Sequence, residues 1–210
     1  MADRKSELLQ VARALIAKKG LADVTTNHIA QAAGISRGTL YHHFESKEAI
    51  LDALVEKISA EQYERARLTA QDSTKPARER LLRTIMSLNV GTGPDTAILE
   101  HLNSPKNIVL HQKIEREMLA ILPSILAPIV EDGNREGVFN TPFAYETMEM
   151  LVSYVLLVLD GGPDLDETES TRKLAALVTN VERMLGAKEG TLSELLAQIA
   201  PPPPNPSSGS

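Results

Sequence analysis

The sequence contains no cysteine and few aromatic residues. Without cysteine, the chain can form neither disulfides nor thiolate-ligated metal centres, and it has no thiol nucleophile. Aromatic residues make up 3% of the 210 residues, whereas 42% are hydrophobic and 24% are charged. This balance is typical of a soluble globular protein that buries a sizeable core.

Long apolar runs are also missing. The longest, roughly residues 150–159, is about half of the ~20 residues that a membrane-spanning helix requires. The N-terminus, MADRKSELLQ, lacks the apolar core of a secretory signal. We therefore expect a cytoplasmic protein with no membrane partner. The sequence has no HExxH motif, phosphate-binding loop or serine elbow, so we expect neither an enzyme nor a cofactor.

The charge is unevenly distributed along the chain. Residues 1–60 carry 8 Lys+Arg and 7 Asp+Glu, and the remaining residues carry 14 and 21. Because phosphate attraction supplies much of the affinity for nucleic acids, any surface that binds DNA is expected within the first 60 residues.

Apolar residues recur at helical spacing throughout the chain, with Gly and Pro between the segments, and no strand-like alternation stands out. The pattern predicts an all-α protein. Thr26 is expected to cap a second helix over 27–33, Ser36 a third and Ser46 a long fourth. Further along, Pro123 is expected to divide two helices. Thr191 and Glu194 match a capping box, and residues 201–210, PPPPNPSSGS, are expected to be a disordered tail.

Two short helices joined by Gly34-Ile35-Ser36 form a predicted helix-turn-helix at about 27–46. Gly34 permits the turn, Ile35 fills the angle between the helices, and Phe44 is expected to point inward. The second of these helices can enter a DNA major groove. Short helix pairs also occur with purely structural roles, so this pattern alone leaves both alternatives open.

The wider stretch TTNHIAQAAGISRGTLYHHFESKEAIL, Thr25–Leu51, resembles the DNA-binding domain of the TetR/AcrR family of bacterial transcriptional regulators. The resemblance implies an N-terminal three-helix domain at 1–60 that binds DNA. It also implies a helical domain at 61–200 that binds ligand and dimerises.

Ten residues are predicted to contact DNA. The resemblance places Thr26, Tyr41, His42 and Lys47 at phosphates, and Asn27, Arg37 and Thr39 at bases. Gly38 has no side chain to hold the backbone away from DNA. The predicted set is Thr25, Thr26, Asn27, Ser36, Arg37, Gly38, Thr39, Tyr41, His42 and Lys47.

Residues 147–159 are apolar nearly all round the helix, so both faces must be covered. With a second apolar stripe on residues 166–185, this pattern predicts a homodimer that joins two helices from each chain into a four-helix bundle. A central helix within a monomer is the alternative. The predicted interface consists of Met148, Leu151, Val152, Val155, Leu159, Leu174, Leu177, Val178, Val181 and Leu185.

Polar or adaptable side chains within the apolar second domain are candidates for a ligand pocket. They are Met86, His101, Asn103, Asn107, His111, Met118 and Tyr154. His101 and His111, with Glu100 or Glu115, also suggest zinc, but their spacing crosses Pro105, and a helical histidine is more often hydrogen-bonded to a neighbour. We therefore predict no metal site.

Together these features predict a sequence-specific DNA-binding regulator. The expected form is a homodimeric repressor that a small, largely apolar effector releases from a double-stranded DNA operator. The alternative is a helix-turn-helix protein that a protein partner controls.

Overall fold

The computed structural model describes residues 4–88, 95–103, 107–160 and 167–199. Within these ranges every regular element is helical, which confirms the predicted all-α class. Helix α1 spans Arg4–Lys19, α2 Thr26–Ala32, α3 Arg37–His43, α4 Lys47–Ala70 and α5 Ala77–Ser87. Then follow α6 (Thr96–Leu99), a 3₁₀ turn (Glu100–Asn103), α7 (Ile108–Glu136), α8 (Ala144–Tyr154), a π-helical segment (Val155–Asp160), α9 (Glu167–Met184) and α10 (Thr191–Ile199).

The chain divides into two compact units. The N-terminal unit contains Met1–Arg65 and Leu88–Glu117, and the C-terminal unit contains Ala66–Ser87 and Met118–Ser210. The predicted domain boundary at residue 60 stays a prediction, and the predicted tail at 201–210 lies outside the described residues. No helix among the described residues is both long and apolar enough to cross a membrane.

The core of the N-terminal unit forms where the apolar faces of α1 to α4 meet. Leu8, Ile29, Leu40 and Leu54, one from each helix, are all at most 1% exposed. Burying a side chain of this size contributes about 1.5–3 kcal/mol. Isolated helices as short as α2 and α3 are marginal in water, so this packing stabilises them.

Helix α7 contradicts the prediction that Pro123 divides two helices. Pro123 and Pro128 both lie inside this single helix. A proline removes one backbone hydrogen bond from a helix. Here the apolar face of the helix compensates for this loss, because Leu122, Ile125 and Ile129 are buried.

The start of α10 also differs from the prediction. Thr191 is the first helical residue rather than the cap, because the amide of Glu194 bonds to the carbonyl of Gly190 at 2.8 Å. The cap comes from α9 instead. The Glu182 carboxylate accepts from the backbone N–H groups of Gly190, Leu192 and Ser193 at 2.9, 2.7 and 3.2 Å. Glu182 is buried, and a carboxylate reaching across from another helix leaves no local sequence signal.

Candidate DNA-binding surface

Helices α2 and α3 form a helix-turn-helix. Helix α2 packs against both α1 and α3. The turn between α2 and α3 passes through Gly34, whose φ of +65° is a left-handed conformation that favours glycine. The amide of Ile35 bonds to the carbonyl of Ala30 at 3.0 Å. Phe44, just after α3, is 4% exposed, which confirms that it anchors the motif from inside.

The cap of α2 is Thr25, not Thr26 as the sequence predicted. The Thr25 hydroxyl accepts from the His28 amide at 3.3 Å, and the Thr25 amide donates to His28 Nδ1 at 3.4 Å. These two bonds form a capping box in which a histidine takes the place usually filled by Glu or Gln. Thr26 is therefore the first helical residue, and its hydroxyl is not needed for the cap.

Helix α3 begins at the predicted cap, Ser36. Its hydroxyl accepts from the Thr39 amide at 3.0 Å and lies 2.8 Å from the Thr39 hydroxyl. Both residues and the intervening Arg37 and Gly38 are exposed. A Cβ added at Gly38 would meet only Ser36 Oγ, at 3.7 Å, which is an ordinary contact. Packing within the unit therefore does not require glycine at this position.

Three predicted DNA-binding residues converge on the outer face of the motif. Arg37 Nη2 donates to the Tyr41 hydroxyl at 3.3 Å, and its guanidinium lies 5.3 Å from the centre of the Tyr41 ring. The Tyr41 hydroxyl lies 3.4 Å from the Thr26 hydroxyl. The Thr26 hydroxyl, followed by Arg37, lowers the pKa of the Tyr41 phenol. The result is an exposed cluster of hydrogen-bonding groups with one positive charge.

Asn27, His42 and Lys47 are further predicted DNA contacts. Asn27 and His42 are exposed, and the rings of His42 and His43 meet edge to face with centroids 5.6 Å apart. Lys47, at the start of α4, donates from Nζ to the carbonyl of Leu21 at 2.7 Å. An ammonium has three donors, so this bond leaves Lys47 able to contact a phosphate as well.

The seven predicted ligand residues fall in both units. His101, Asn103, Asn107 and His111 belong to the N-terminal unit, whereas Met86, Met118 and Tyr154 belong to the C-terminal unit. Asn107 Nδ2 donates to the carbonyl of His101 at 2.6 Å, and the side chain of Asn103 lies outside the described residues. Their role in ligand binding stays a prediction.

The two candidate zinc histidines have separate acidic neighbours. His101 Nε2 lies 3.6 Å from Asp52, and His111 Nε2 lies 3.3 Å from Glu115. No group of three or more metal-binding side chains occurs in the ranges that the structure describes.

A cleft of about 390 Å³ lies in the C-terminal unit, and none of the seven predicted residues lines it. Its charged members are Arg67, Arg80 and Asp132. Arg80 is 6% exposed, donates to Asp132 at 2.5 Å and to the carbonyl of Ala70 at 3.0 Å. Sequence reasoning missed this site. The signal in the sequence was an arginine inside the apolar stripe of α5.

The predicted dimer residues differ in exposure. Five of them are buried within the C-terminal unit: Met148, Leu151, Val152, Val181 and Leu185. Three are half-buried: Val155, Leu177 and Val178. Leu174 is 49% exposed, and the neighbouring Ala175 and Ala176 are exposed too. The side chain of Leu159 lies outside the described residues. Their assignment to an interface stays a prediction.

A short exposed helix with a polar outer face, held on a buried support by a glycine turn, has the arrangement of a DNA-binding helix-turn-helix. Two family models match the chain: bacterial regulatory proteins of the tetR family over residues 8–54, and a tetracyclin repressor-like C-terminal domain over residues 93–178. Together they match well over half of its length. The chain belongs to the TetR family of bacterial transcriptional regulators.

Individual proteins are also similar to this chain. The HTH-type transcriptional repressor KstR2 of Rhodococcus jostii is 50% identical over 52 residues, which are 25% of this chain and 26% of that protein. KstR2 of Mycobacterium tuberculosis is 35% identical over 133 residues, which are 63% of this chain and 60% of that protein. The chain thus matches less than two thirds of either relative. The crystal structure of RolR with resorcinol shares the fold, with a TM-score of 0.57, 17% identity, and coverage of 94% of this chain and 95% of RolR.

Proposed function

We propose that the protein binds double-stranded DNA through α3 as a homodimeric repressor, and that a small, largely apolar effector releases it. The observation that carries the DNA-binding part is the exposed segment Ser36–Thr39. It presents an arginine, two hydroxyls and an open glycine on a rigid support. Gly38 is exposed, and packing inside the protein does not require a glycine there. A glycine at such a position suits a surface that another backbone approaches closely.

Different residues have different roles in this proposal. Arg37, Thr39 and Asn27 face base edges, where an arginine can pair with guanine and a threonine methyl can contact thymine. Thr25, Thr26, Ser36, Tyr41, His42 and Lys47 surround them and hold phosphates. The relatives from Rhodococcus and Mycobacterium are named as repressors, which supports repression here.

Substitution of Gly38 tests this surface directly. Gly38→Ala adds one methyl group that the unit can accommodate, and alanine favours a helix over glycine by up to about 1 kcal/mol. We therefore expect unchanged or higher thermal stability together with weaker binding to a DNA site selected from a random pool. Fluorescence anisotropy would measure the binding. If Gly38→Ala binds the selected DNA as the unchanged protein does, α3 does not approach DNA at this position.

The homodimer proposal is supported by the exposed apolar side chains of α9. Leu174 with Ala175 and Ala176 presents apolar surface to solvent in the single chain. A two-fold dimer would place two copies of α3 in successive major grooves, roughly 34–36 Å apart. Light scattering at micromolar concentration should give the mass of two chains, and Leu174→Glu should shift it toward one. A single-chain mass for the unchanged protein would remove the dimer from the proposal.

Release by an effector requires that the effector bind the DNA-free conformation more tightly than the DNA-bound one. The coupling is reciprocal, so operator DNA must weaken effector binding by the same factor, typically about 5- to 150-fold. The fold accommodates a small molecule in RolR, which was solved with resorcinol. Titrating a ligand found by thermal-shift screening, with and without operator, tests the coupling. Equal affinity in the two titrations would mean that the molecule is not an effector and would favour control by a protein partner.

A further inference from the structure

Two side chains at the start of α3, Ser36 and Thr39, are joined by a pair of hydrogen bonds. The Ser36 hydroxyl oxygen accepts from the Thr39 amide at 3.0 Å and lies 2.8 Å from the Thr39 hydroxyl. The amide bond holds the Ser36 oxygen in place, and this oxygen in turn holds the hydroxyl of Thr39. The residue that caps the helix therefore also orients an exposed side chain.

The side chain of Thr39 has alternatives between which this contact decides. A threonine in a helix populates two rotamers about χ1, because its hydroxyl can bond within the preceding turn. The contact with Ser36 selects the rotamer in which the hydroxyl faces the cap. Since the hydroxyl is engaged inside the protein, the methyl group is the branch of this exposed side chain that is left to meet a partner.

The backbone that carries Thr39 is fixed as well. The next residue, Leu40, is 1% exposed, and its amide donates to the carbonyl of Ser36 at 3.1 Å. The preceding residue, Gly38, has no side chain that could cover Thr39. A binding side chain is precise when packing and further hydrogen bonds lock its rotamer. Both conditions hold for Thr39, so its methyl group has one defined position on the helix-turn-helix.

We propose that Thr39 recognises a thymine through its methyl group and that Ser36 is the residue that positions this methyl group. Thymine alone among the four bases carries a methyl group in the major groove, and the apolar partner of that group can be a threonine methyl. The N-terminal residues of a recognition helix are the ones that reach base edges. The inference rests on the proposed function, to which it adds the base that is read and the residue that orients the contact.

Replacing thymine by uracil tests the contact, since the two bases differ only by this methyl group. Fluorescence anisotropy on the full chain would compare the selected DNA with versions in which one thymine at a time is replaced. We expect one position in each half-site at which uracil weakens binding about fourfold, which corresponds to ~0.8 kcal/mol for a buried methyl group. If no replacement weakens binding, the proposal is wrong.

Two variants of Thr39 identify the group that makes the contact. Thr39→Ser keeps the hydroxyl and lacks the methyl group, so it should bind the thymine and uracil forms equally. Thr39→Val keeps a methyl group and lacks the hydroxyl, so it should retain most of the fourfold difference. A difference that Thr39→Ser keeps, or that Thr39→Val loses, would overturn the proposal.

Two variants of Ser36 test the positioning role. Glycine is tolerated at a helix cap, so Ser36→Gly mainly frees the rotamer of Thr39 and should reduce the difference between thymine and uracil to less than twofold. Ser36→Thr keeps the hydroxyl and should restore the difference. Loss of a phosphate contact at Ser36 would instead weaken both forms by the same factor.

Ser46→Gly is the matched control for the loss of a cap. The Ser46 hydroxyl caps α4 by accepting from the amide of Ala49 at 3.0 Å, and alanine has no hydroxyl to be oriented. This variant should leave the difference between thymine and uracil unchanged. A full difference in Ser36→Gly, or an equal fall in Ser46→Gly, would overturn the positioning role of Ser36.

Selection of DNA from a random pool separates failure of this inference from failure of the proposed function. If the protein enriches and binds no sequence, both are wrong. If it binds an enriched sequence whose thymines can all be replaced by uracil without loss, the proposed function stands and the reading of thymine by Thr39 is wrong.

Discussion

Sequence and structure are related differently in two regions of the molecule. One region is the helix-turn-helix in the N-terminal unit, and the other is the C-terminal unit. In the first, the helix caps are local, as where the Ser36 hydroxyl accepts from the Thr39 amide three residues further along the chain. In the second, polar groups are satisfied from other helices: the Glu182 carboxylate of α9 caps α10, and Arg80 of α5 bonds to Asp132 of α7, 52 residues away. Short-range geometry can be read from one sequence, whereas long-range pairing cannot.

Two phenylalanines, one in each unit, differ in burial. Phe44 follows α3 and is 4% exposed, with Lys5 Nζ 5.2 Å from the centre of its ring. Phe143 precedes α8 and is 64% exposed. The C-terminal unit also has a buried phenylalanine, Phe139, which is 3% exposed, so the contrast is between the positions of Phe44 and Phe143. This contrast gives the prediction with the largest expected effect.

Phe44→Ala should destabilise the protein by about 3–5 kcal/mol, because it leaves a cavity beneath α3. Phe143→Ala, the matched control, should change stability by no more than about 0.5 kcal/mol, as is usual at exposed positions. Urea unfolding measures both. A small effect of Phe44→Ala would mean that Phe44 is not what holds α3 in place.

Glu182→Gln tests the long-range cap in the C-terminal unit. Glu182 accepts three backbone hydrogen bonds, and bonds to a charged group contribute about 1.5–3 kcal/mol. Since Gln keeps one acceptor oxygen, we expect a loss of about 1–2 kcal/mol in the free energy of unfolding at pH 7. The exposed neighbour Glu189→Gln is the control and should have little effect.

The effect of Glu182 should depend on pH in one direction. Burial alone would raise the pKa of Glu182, but the amides of Gly190, Leu192 and Ser193 outweigh burial, and the pKa lies below its usual range. A carboxylate with a lowered folded pKa contributes its full stability above the unfolded value, about 4.3, and loses it as the pH falls through the folded value. The difference between the unchanged protein and Glu182→Gln should therefore be constant from pH 7 to about 5 and shrink below about 4. A difference that grows on acidification would contradict this account.

The difference between local and long-range contacts also explains which features could be predicted from the sequence. The turn at Gly34 and the cap at Ser36 were predicted correctly, because each depends on residues that are neighbours in sequence. The helical class and the inward Phe44 were also predicted correctly, although the burial of Phe44 depends on packing between helices. The errors at Thr26 and Thr191 were shifts of one residue at the start of a helix, where neighbouring residues can each serve as the cap. Pro123 was misjudged because tertiary burial of α7 outweighs one missing hydrogen bond. The cleft around Arg80 could not be predicted, since α4, α5 and α7 contribute to it together.

In the proposed function Arg37 contacts a base and Lys47 a phosphate, so substitutions at these two positions would separate base recognition from phosphate binding. Arg37→Ala should reduce discrimination at one base pair by about 1–3 kcal/mol. Lys47→Ala should weaken all sequences alike and reduce the slope of log affinity against log salt concentration by about one unit. Lys47 also donates to Leu21, so its variant should be slightly less stable, whereas Arg37→Ala should not. Equal effects of both variants on selected and random DNA would contradict the separation.

The smallest effect is expected at the start of α2, where two adjacent threonines have different roles. The Thr25 hydroxyl caps the helix, and the Thr26 hydroxyl lies beside Tyr41 on the outer face. Thr25→Ala should lower stability by about 1 kcal/mol, and Thr25→Ser should restore it because serine keeps the accepting hydroxyl. Thr26→Ala should leave stability within about 0.5 kcal/mol and weaken DNA binding instead. Urea unfolding and anisotropy on the same three variants distinguish the roles. If Thr26→Ala were the destabilising change, the helix would begin one residue later, and the contact between Thr26 and Tyr41 would not belong to the surface that meets DNA.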